Sequence, residues 1–193
     1  MAELPRTHPL EPWTEAFTRL PGSARVTVDP FVAMVDVRLG SPGPRAWQRL
    51  GTELPTVPNT WVPAGGGRAV WLGPDEWLLT SATDSPEGLE ERVRAAVLPL
   101  GGSAANVSAQ RITVRLTGAR VRDVLAQGCA IDLHPRVFGR GRSAQTTLGR
   151  AGVVLLSLGD TGDDYLVLVR SSFAGYLADW LLDATLELTA APR

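Results

Sequence analysis

VAMVDVRL, PRAWQRL, GRAVWLG, EWLLTS and GLEERVRAAVL, at residues 32–39, 44–50, 67–73, 76–81 and 88–98, read as strand, short helix, two paired strands and a longer helix. ITVRLTG, ARVRDVLAQG, GVVLLSLG, YLVLVR and FAGYLADWLLDA, at 112–118, 119–128, 152–159, 165–170 and 173–184, read the same way. The strand pairs turn at Pro74-Asp75 and at Asp160-Thr161-Gly162-Asp163. A repeat at this period marks a duplicated supersecondary unit. Together the copies take up nearly all of the large apolar side chains, which leaves few for a catalytic centre.

The local signals fill in each copy. Phe31 to Leu39 is Val-rich and alternates partly, as a strand does. Pro44 opens a helix that turns Trp47 and Leu50 inward, because proline is tolerated in the first helical turn. Residues 51–67, with three prolines and Gly65-Gly66-Gly67, read as a loop. Ser85 is placed to cap a helix whose inward stripe is Leu89, Val93, Ala96 and Val97. Gly101-Gly102 reads as a hinge. From Arg111 to Leu116 arginine alternates with apolar residues, which predicts one wet and one buried face in an antiparallel sheet. Thr117 is placed to cap the next helix (Val121, Val124 and Leu125 inward). Ser172 is placed to cap the last, with its stripe of Phe173, Leu177, Trp180, Leu181 and Ala184. The class this predicts is α+β: duplicated ferredoxin-like β-α-β-β-α units, antiparallel sheets with helices on one face. The organisation is an N-terminal arm at 1–30 and half-domains at 31–100 and 101–193, in one compact folding unit.

Composition narrows the function classes. A chain of 193 residues buries roughly 70% of its unfolded surface and needs no staples. The formal net charge of −1 argues against a nucleic-acid partner, which calls for a strongly basic face. All 19 basic residues are arginine, so a lysine Schiff base and a phosphate-loop lysine are excluded. One cysteine, Cys129, forms no intramolecular disulfide and suits a reducing compartment. The N-terminus, with Glu3, Pro5, Arg6 and His8, has no apolar run of the signal-peptide kind, and no segment approaches the ~20 apolar residues of a membrane span. The expectation is a soluble cytoplasmic protein.

Catalytic patterns are weak. The two histidines, His8 and His134, with Cys129 fall short of a zinc set. A Cys129–His134 nucleophile–base pair is conceivable, but Gly128-Cys129-Ala130-Ile131 is an apolar setting in which cysteine acts as a small hydrophobe. Gly65-Gly66-Gly67-Arg68 leads into a strand rather than a helix N-terminus, so it reads as a hairpin approach and not a phosphate cradle. Asp132, between Ile131 and Leu133, reads as a capping acid before a general base. Candidate interface residues are Trp13 and Phe17, which share a helical face with Leu20, then Trp61 in its proline-bordered loop, and Arg140 and Arg142. The Trp13–Phe17–Leu20 face either caps the chain's own core or docks on another chain. Arg140 and Arg142 either face solvent or pair with carboxylates of a partner.

AVWLGPDEWLL (69–79), RLTG (115–118), GCAIDLHPRVF (128–138), TTLG (146–149) and YLVLVRSSFAGYLADWLLDA (165–184) together resemble the gamma subunit of heterotetrameric sarcosine oxidase. The likeness covers most of residues 25–185, and its wider relatives are the aminomethyltransferase and folate-binding domains. One departure is Ser143, where relatives often carry cysteine ahead of the threonine pair. The resemblance implies a folate-binding-type fold without its working site. It further implies a non-catalytic structural subunit with no cofactor of its own. FAD, FMN, NAD and tetrahydrofolate would lie on large alpha and beta subunits and zinc on a small delta subunit. The alternatives are a free-standing folate-binding or one-carbon transfer protein, with Asp132 or Asn106 for the pterin, and a thiol enzyme using Cys129.

Overall fold

The computed structural model describes residues 7–29 and 31–189. The N-terminal residues Glu3, Pro5 and Arg6 lie outside them. A short helix α1 (Thr14–Thr18) leads to strand β1 (Arg25–Asp29). The first copy follows as β2 (Ala33–Arg38), α2 (Pro44–Leu50), β3 (Trp61–Ala64), β4 (Gly67–Gly73), β5 (Glu76–Ser81) and α3 (Pro86–Val97). Strand β6 (Ser103–Asn106) connects to the second copy: β7 (Arg111–Thr117), α4 (Val121–Ala126), β8 (Ser143–Leu148), β9 (Ala151–Ser157), β10 (Asp164–Arg170) and α5 (Ala174–Thr189).

Two five-stranded sheets result, ordered β3-β4-β5-β2-β6 and β1-β7-β10-β9-β8. Their pairings are antiparallel throughout, as the α+β reading requires. The two orders are the same sequence of events reversed, with one exchange. β1 precedes the first copy yet pairs with β7 of the second, Thr27 opposite Arg115. β6 precedes the second copy yet pairs with β2 of the first, Val37 opposite Ala104. Sheet membership therefore crosses the expected boundaries at 30/31 and 100/101. Residues 25–29 of the supposed arm belong to the second sheet, and 103–106 to the first. Gly101 sits in a left-handed turn (φ +76°) ahead of β6, inside the first unit rather than between units.

Alternation along the strands builds three apolar layers. Val35, Val37, Trp77 and Leu79 face α2 and α3. Val114, Leu116, Val167 and Val169 face α1, α4 and α5. The opposite faces meet each other: Met34, Val70, Leu72 and Leu78 of one sheet pack on Val154, Leu156, Leu166 and Leu168 of the other. The order is helix, sheet, sheet, helix, with helices on one face of each sheet. Burying each such side chain contributes about 1.5–3 kcal/mol before entropy.

Several local expectations hold and others do not. Ser85 Oγ accepts the Gly88 N–H at 3.1 Å, capping α3. Thr117 lies within β7, and α4 starts later, after Arg120 and without a side-chain cap. α5 starts at Ala174 after a single 3-10 turn, with Ala174 in place of Phe173 as the first inward residue; Phe173 is exposed. The supposed loop 51–67 contains β3, and Gly65-Gly66 is the two-residue turn joining β3 to β4. At Gly67 a Cβ would stand 1.8 Å from the Thr80 carbonyl oxygen, so only glycine lets β4 and β5 approach.

Candidate functional site

Trp61, expected in a proline-bordered loop as a candidate interface anchor, lies in β3 and is buried. Its indole N–H donates to the Ser157 carbonyl at 3.0 Å, across to the other sheet. The backbone adds stitches beside it: Trp61 N–H to Gly141 O at 2.9 Å and Ser143 N–H to Asn59 O at 2.8 Å. Gln145 donates its side-chain amide to the Leu72 carbonyl at 2.7 Å. Trp61 thus joins the two halves of this chain.

The N-terminal candidates dock on the chain's own core. Phe17 is buried among Val26, Leu116 and Leu177. Trp13 donates its indole N–H to Asp179 of α5 at 2.7 Å and lies against Gly175. Of the two readings left open for this face, the structure shows the first. Arg140 and Arg142 are exposed and take no part in any ion pair among the described residues.

The catalytic candidates stay apart. Cys129 is buried, and its sulfur is 4.0 Å from Thr146 Oγ1; no hydrogen bond links it to His134. His134 Nδ1 accepts the Arg136 N–H at 3.2 Å. Asp132 Oδ1 accepts the His134 N–H at 2.8 Å, which is turn chemistry at an exposed position. His8 Nδ1 accepts the Leu10 N–H at 3.1 Å and its ring meets Phe31 edge-on, 5.9 Å between centroids. Burial holds the His8 pKa below the usual imidazole value against the opposing pull of Glu11. Among the described residues, no three His, Cys, Asp or Glu side chains gather as a metal set. No helix among them is long and apolar enough to cross a membrane.

What the fold does build is a cleft between the sheets, on the side where the exchanged strands meet. Arg111, Thr113 and Arg115 were expected on a wet face. They sit on the face that looks toward the other sheet, and Thr113 is only 3% exposed. One part of the cleft, about 560 Å³, is lined by Asp29, Phe31, Asn106, Ser108, Arg111 and Thr113. A deeper part, about 320 Å³, shares Asp29 and Thr113 and adds Arg68 and Thr80 against apolar residues of both sheets. Phe31 at its rim holds a left-handed backbone (φ +48°), an uncommon state for an aromatic residue. Ser108 Oγ donates to Asn106 Oδ1 at 2.7 Å, so this hydroxyl has an amide and not a base for its neighbour. Burial lowers the pKa of Arg68 and of Arg111. The polar lining of the cleft consists of charged, amide and hydroxyl side chains, Asp29, Arg68, Arg111, Asn106, Thr80, Ser108 and Thr113 among them. The sequence contained a faint signal for it: arginines set in otherwise apolar strands at Arg68 and Arg111.

A family model described as "Sarcosine oxidase, gamma subunit family" matches residues 43–187. The chain is 35% identical to a sarcosine oxidase subunit gamma of Corynebacterium sp. (strain P-1), over 97% of this chain and 93% of the relative. It is 37% identical to one of Arthrobacter sp., over 83% and 79%. In structure it is similar to a chain of the heterotetrameric sarcosine oxidase from Corynebacterium sp. U-96, with a TM-score of 0.86 at 28% identity, covering 97% and 98% of the two chains. The aminomethyltransferase of Bartonella henselae shares the fold, with a TM-score of 0.58 at 14% identity over 87% of this chain and 48% of that one.

Proposed function

The chain belongs to the sarcosine oxidase gamma subunit family, and from that premise we propose that it is a non-catalytic structural subunit of a heterotetrameric sarcosine oxidase in the cytoplasm. The complex oxidises the methyl group of sarcosine, reduces oxygen to hydrogen peroxide and passes the one-carbon unit to tetrahydrofolate. FAD, FMN, NAD and the tetrahydrofolate site belong to the large alpha and beta subunits, and zinc to the small delta subunit. This chain covers apolar surface on the large subunits.

One observation carries the reading. The side chains that could serve as nucleophile or base in the sequence reading are held by local structure: Cys129 is buried, Asp132, His134 and His8 hold local turns, and Ser108 bonds an amide. The surface retains Phe173, Tyr176, Leu98 and Val137 as exposed large apolar residues and Arg140 and Arg142 as exposed cations with no ion pair among the described residues, the mixture that an anchored interface uses. A stable interface buries about 1,200–2,000 Å².

The test is co-expression with the two large flavin-binding chains and the small zinc-binding chain, followed by size exclusion. Co-elution in one stoichiometric peak is expected. Migration of the chain alone in the presence of its partners overturns the reading. The one-carbon transfer alternative predicts micromolar binding of tetrahydrofolate by the isolated chain in titration calorimetry. Asp132 does not favour it, being used in its own turn.

A further inference from the structure

Among the described residues, Arg68 Nε and the Thr113 hydroxyl between the sheets find no hydrogen-bond partner, and the nearby Asp29 acts on Arg68 through its charge without forming an ion pair. Arg68 rises from β4 with its guanidinium 5.4 Å above the Trp61 ring, and its Nε is buried without a hydrogen-bond acceptor. Thr113 stands on β7 of the facing sheet, 3% exposed, its Oγ1 also unpartnered. Asp29 ends β1 beside them. None of the ion pairs among the described residues includes Arg68 or Asp29; the neighbouring Arg115 is held by Asp164, at 3.0 and 2.7 Å. Buried donors in native proteins are almost always satisfied, so a pair of orphans lining one cavity implies something that fills it.

The cavity sets the occupant's chemistry. Its apolar lining includes Val70, Leu156, Leu166 and Leu168. At about 320 Å³ this part of the cleft lies at the small end of ligand pockets, which suits a small molecule. A cation calls for an anion, and a guanidinium matches a carboxylate with two parallel hydrogen bonds. A plain carboxylate, however, meets the negative charge of Asp29 in the same space. A molecule carrying both signs satisfies both residues.

We propose that this cavity binds a small free amino acid, its carboxylate on Arg68 and the Thr113 hydroxyl, its ammonium toward Asp29 and its side chain on the apolar wall. The exchange of β1 is what makes the site: it brings Asp29 against residues of both sheets. The site holds whether or not turnover occurs on other chains.

Titration calorimetry of the full-length chain tests it, with glycine, L-alanine, L-valine and L-leucine as probes. Isobutyrate and isobutylamine each carry only one of valine's charges. At least one amino acid is expected to bind with a Kd of about 1 mM or tighter, and both single-charge analogues at least about tenfold more weakly. Arg68→Met is expected to abolish binding, Thr113→Val to weaken it about three- to tenfold, and Asp29→Asn to remove the preference for valine over isobutyrate. Thr113→Val is isosteric and keeps the fold, which a thermal melt verifies. The proposal is overturned if no amino acid binds at about 10 mM, if isobutyrate binds as tightly as valine, or if Arg68→Met binds normally. A high-resolution crystal soaked in valine that shows only ordered water on Thr113 Oγ1 and Arg68 Nε also overturns it.

Discussion

Three residues show how single side chains set this fold's stability. Trp61 is the first. Replacing it by Phe keeps most of the ring but removes the N–H that reaches Ser157; the Ser157 carbonyl retains the Gly141 N–H. A loss of about 1–2 kcal/mol is expected by denaturant titration. Ser143 works in the opposite direction. It is 2% exposed and its hydroxyl has no partner, so the folded state carries an uncompensated desolvation cost. Ser143→Ala is expected to stabilise by about 0.5–1.5 kcal/mol, and an unchanged or lower midpoint contradicts that reading. Glu76 adds a pH dependence. Burial first, then hydrogen bonding to Asp36 and its charge, raise the Glu76 pKa above the ordinary carboxyl value, against the pull of Arg38. The folded carboxyl thus holds its proton more tightly than the unfolded one. Its favourable contribution is full below the unfolded pKa and is lost as pH rises through the folded one. Glu76→Gln does not titrate, so its Tm relative to wild type is expected to rise between about pH 4 and pH 7. A difference that is flat or falls with pH contradicts this.

At the scale of elements, β1 decides what the N-terminal segment is. It pairs along its length with β7 and puts Val26 into the core that Phe17 and Leu10 also enter. Removal of residues 1–30 is expected to expose the β7 edge and to leave a chain that is insoluble or melts at least about 10 °C lower, since several buried side chains are lost together. A truncated chain with a normal melt would return this segment to the status of an independent arm. The paired core strands and α3 were legible because their signals are strong and local: the Val-rich, partly alternating run at 31–39, the Ser85 cap, the stripe Leu89–Val93–Val97. β3, β6 and β8 were not. WVPA and SAAN are four residues long, and SAQTTL is polar at every second position. Edge strands like these are defined by the neighbour they pair with rather than by their own residues. The exchange of β1 and β6 is likewise a long-range pairing that leaves no local trace. The cleft was the least readable part, because Asp29, Arg68 and Thr113 are far apart in sequence and meet only once both sheets are assembled.

For the whole molecule, strand exchange, the Trp61 stitch and a shared apolar layer tie the halves together, so one cooperative unfolding transition follows from the architecture. The role proposed for this double unit is that of a scaffold shaping a complex whose chemistry lies on other chains. Cys129, Asp132 and His134 are the side chains with most chemical potential, and the fold uses each of them locally. The decisive measurement is kcat for sarcosine-dependent peroxide formation by the complex assembled with a Cys129→Ser, Asp132→Asn, His134→Ala chain. A value within about twofold of wild type is predicted, whereas a fall of about 100-fold in a correctly assembled complex would contradict a non-catalytic role.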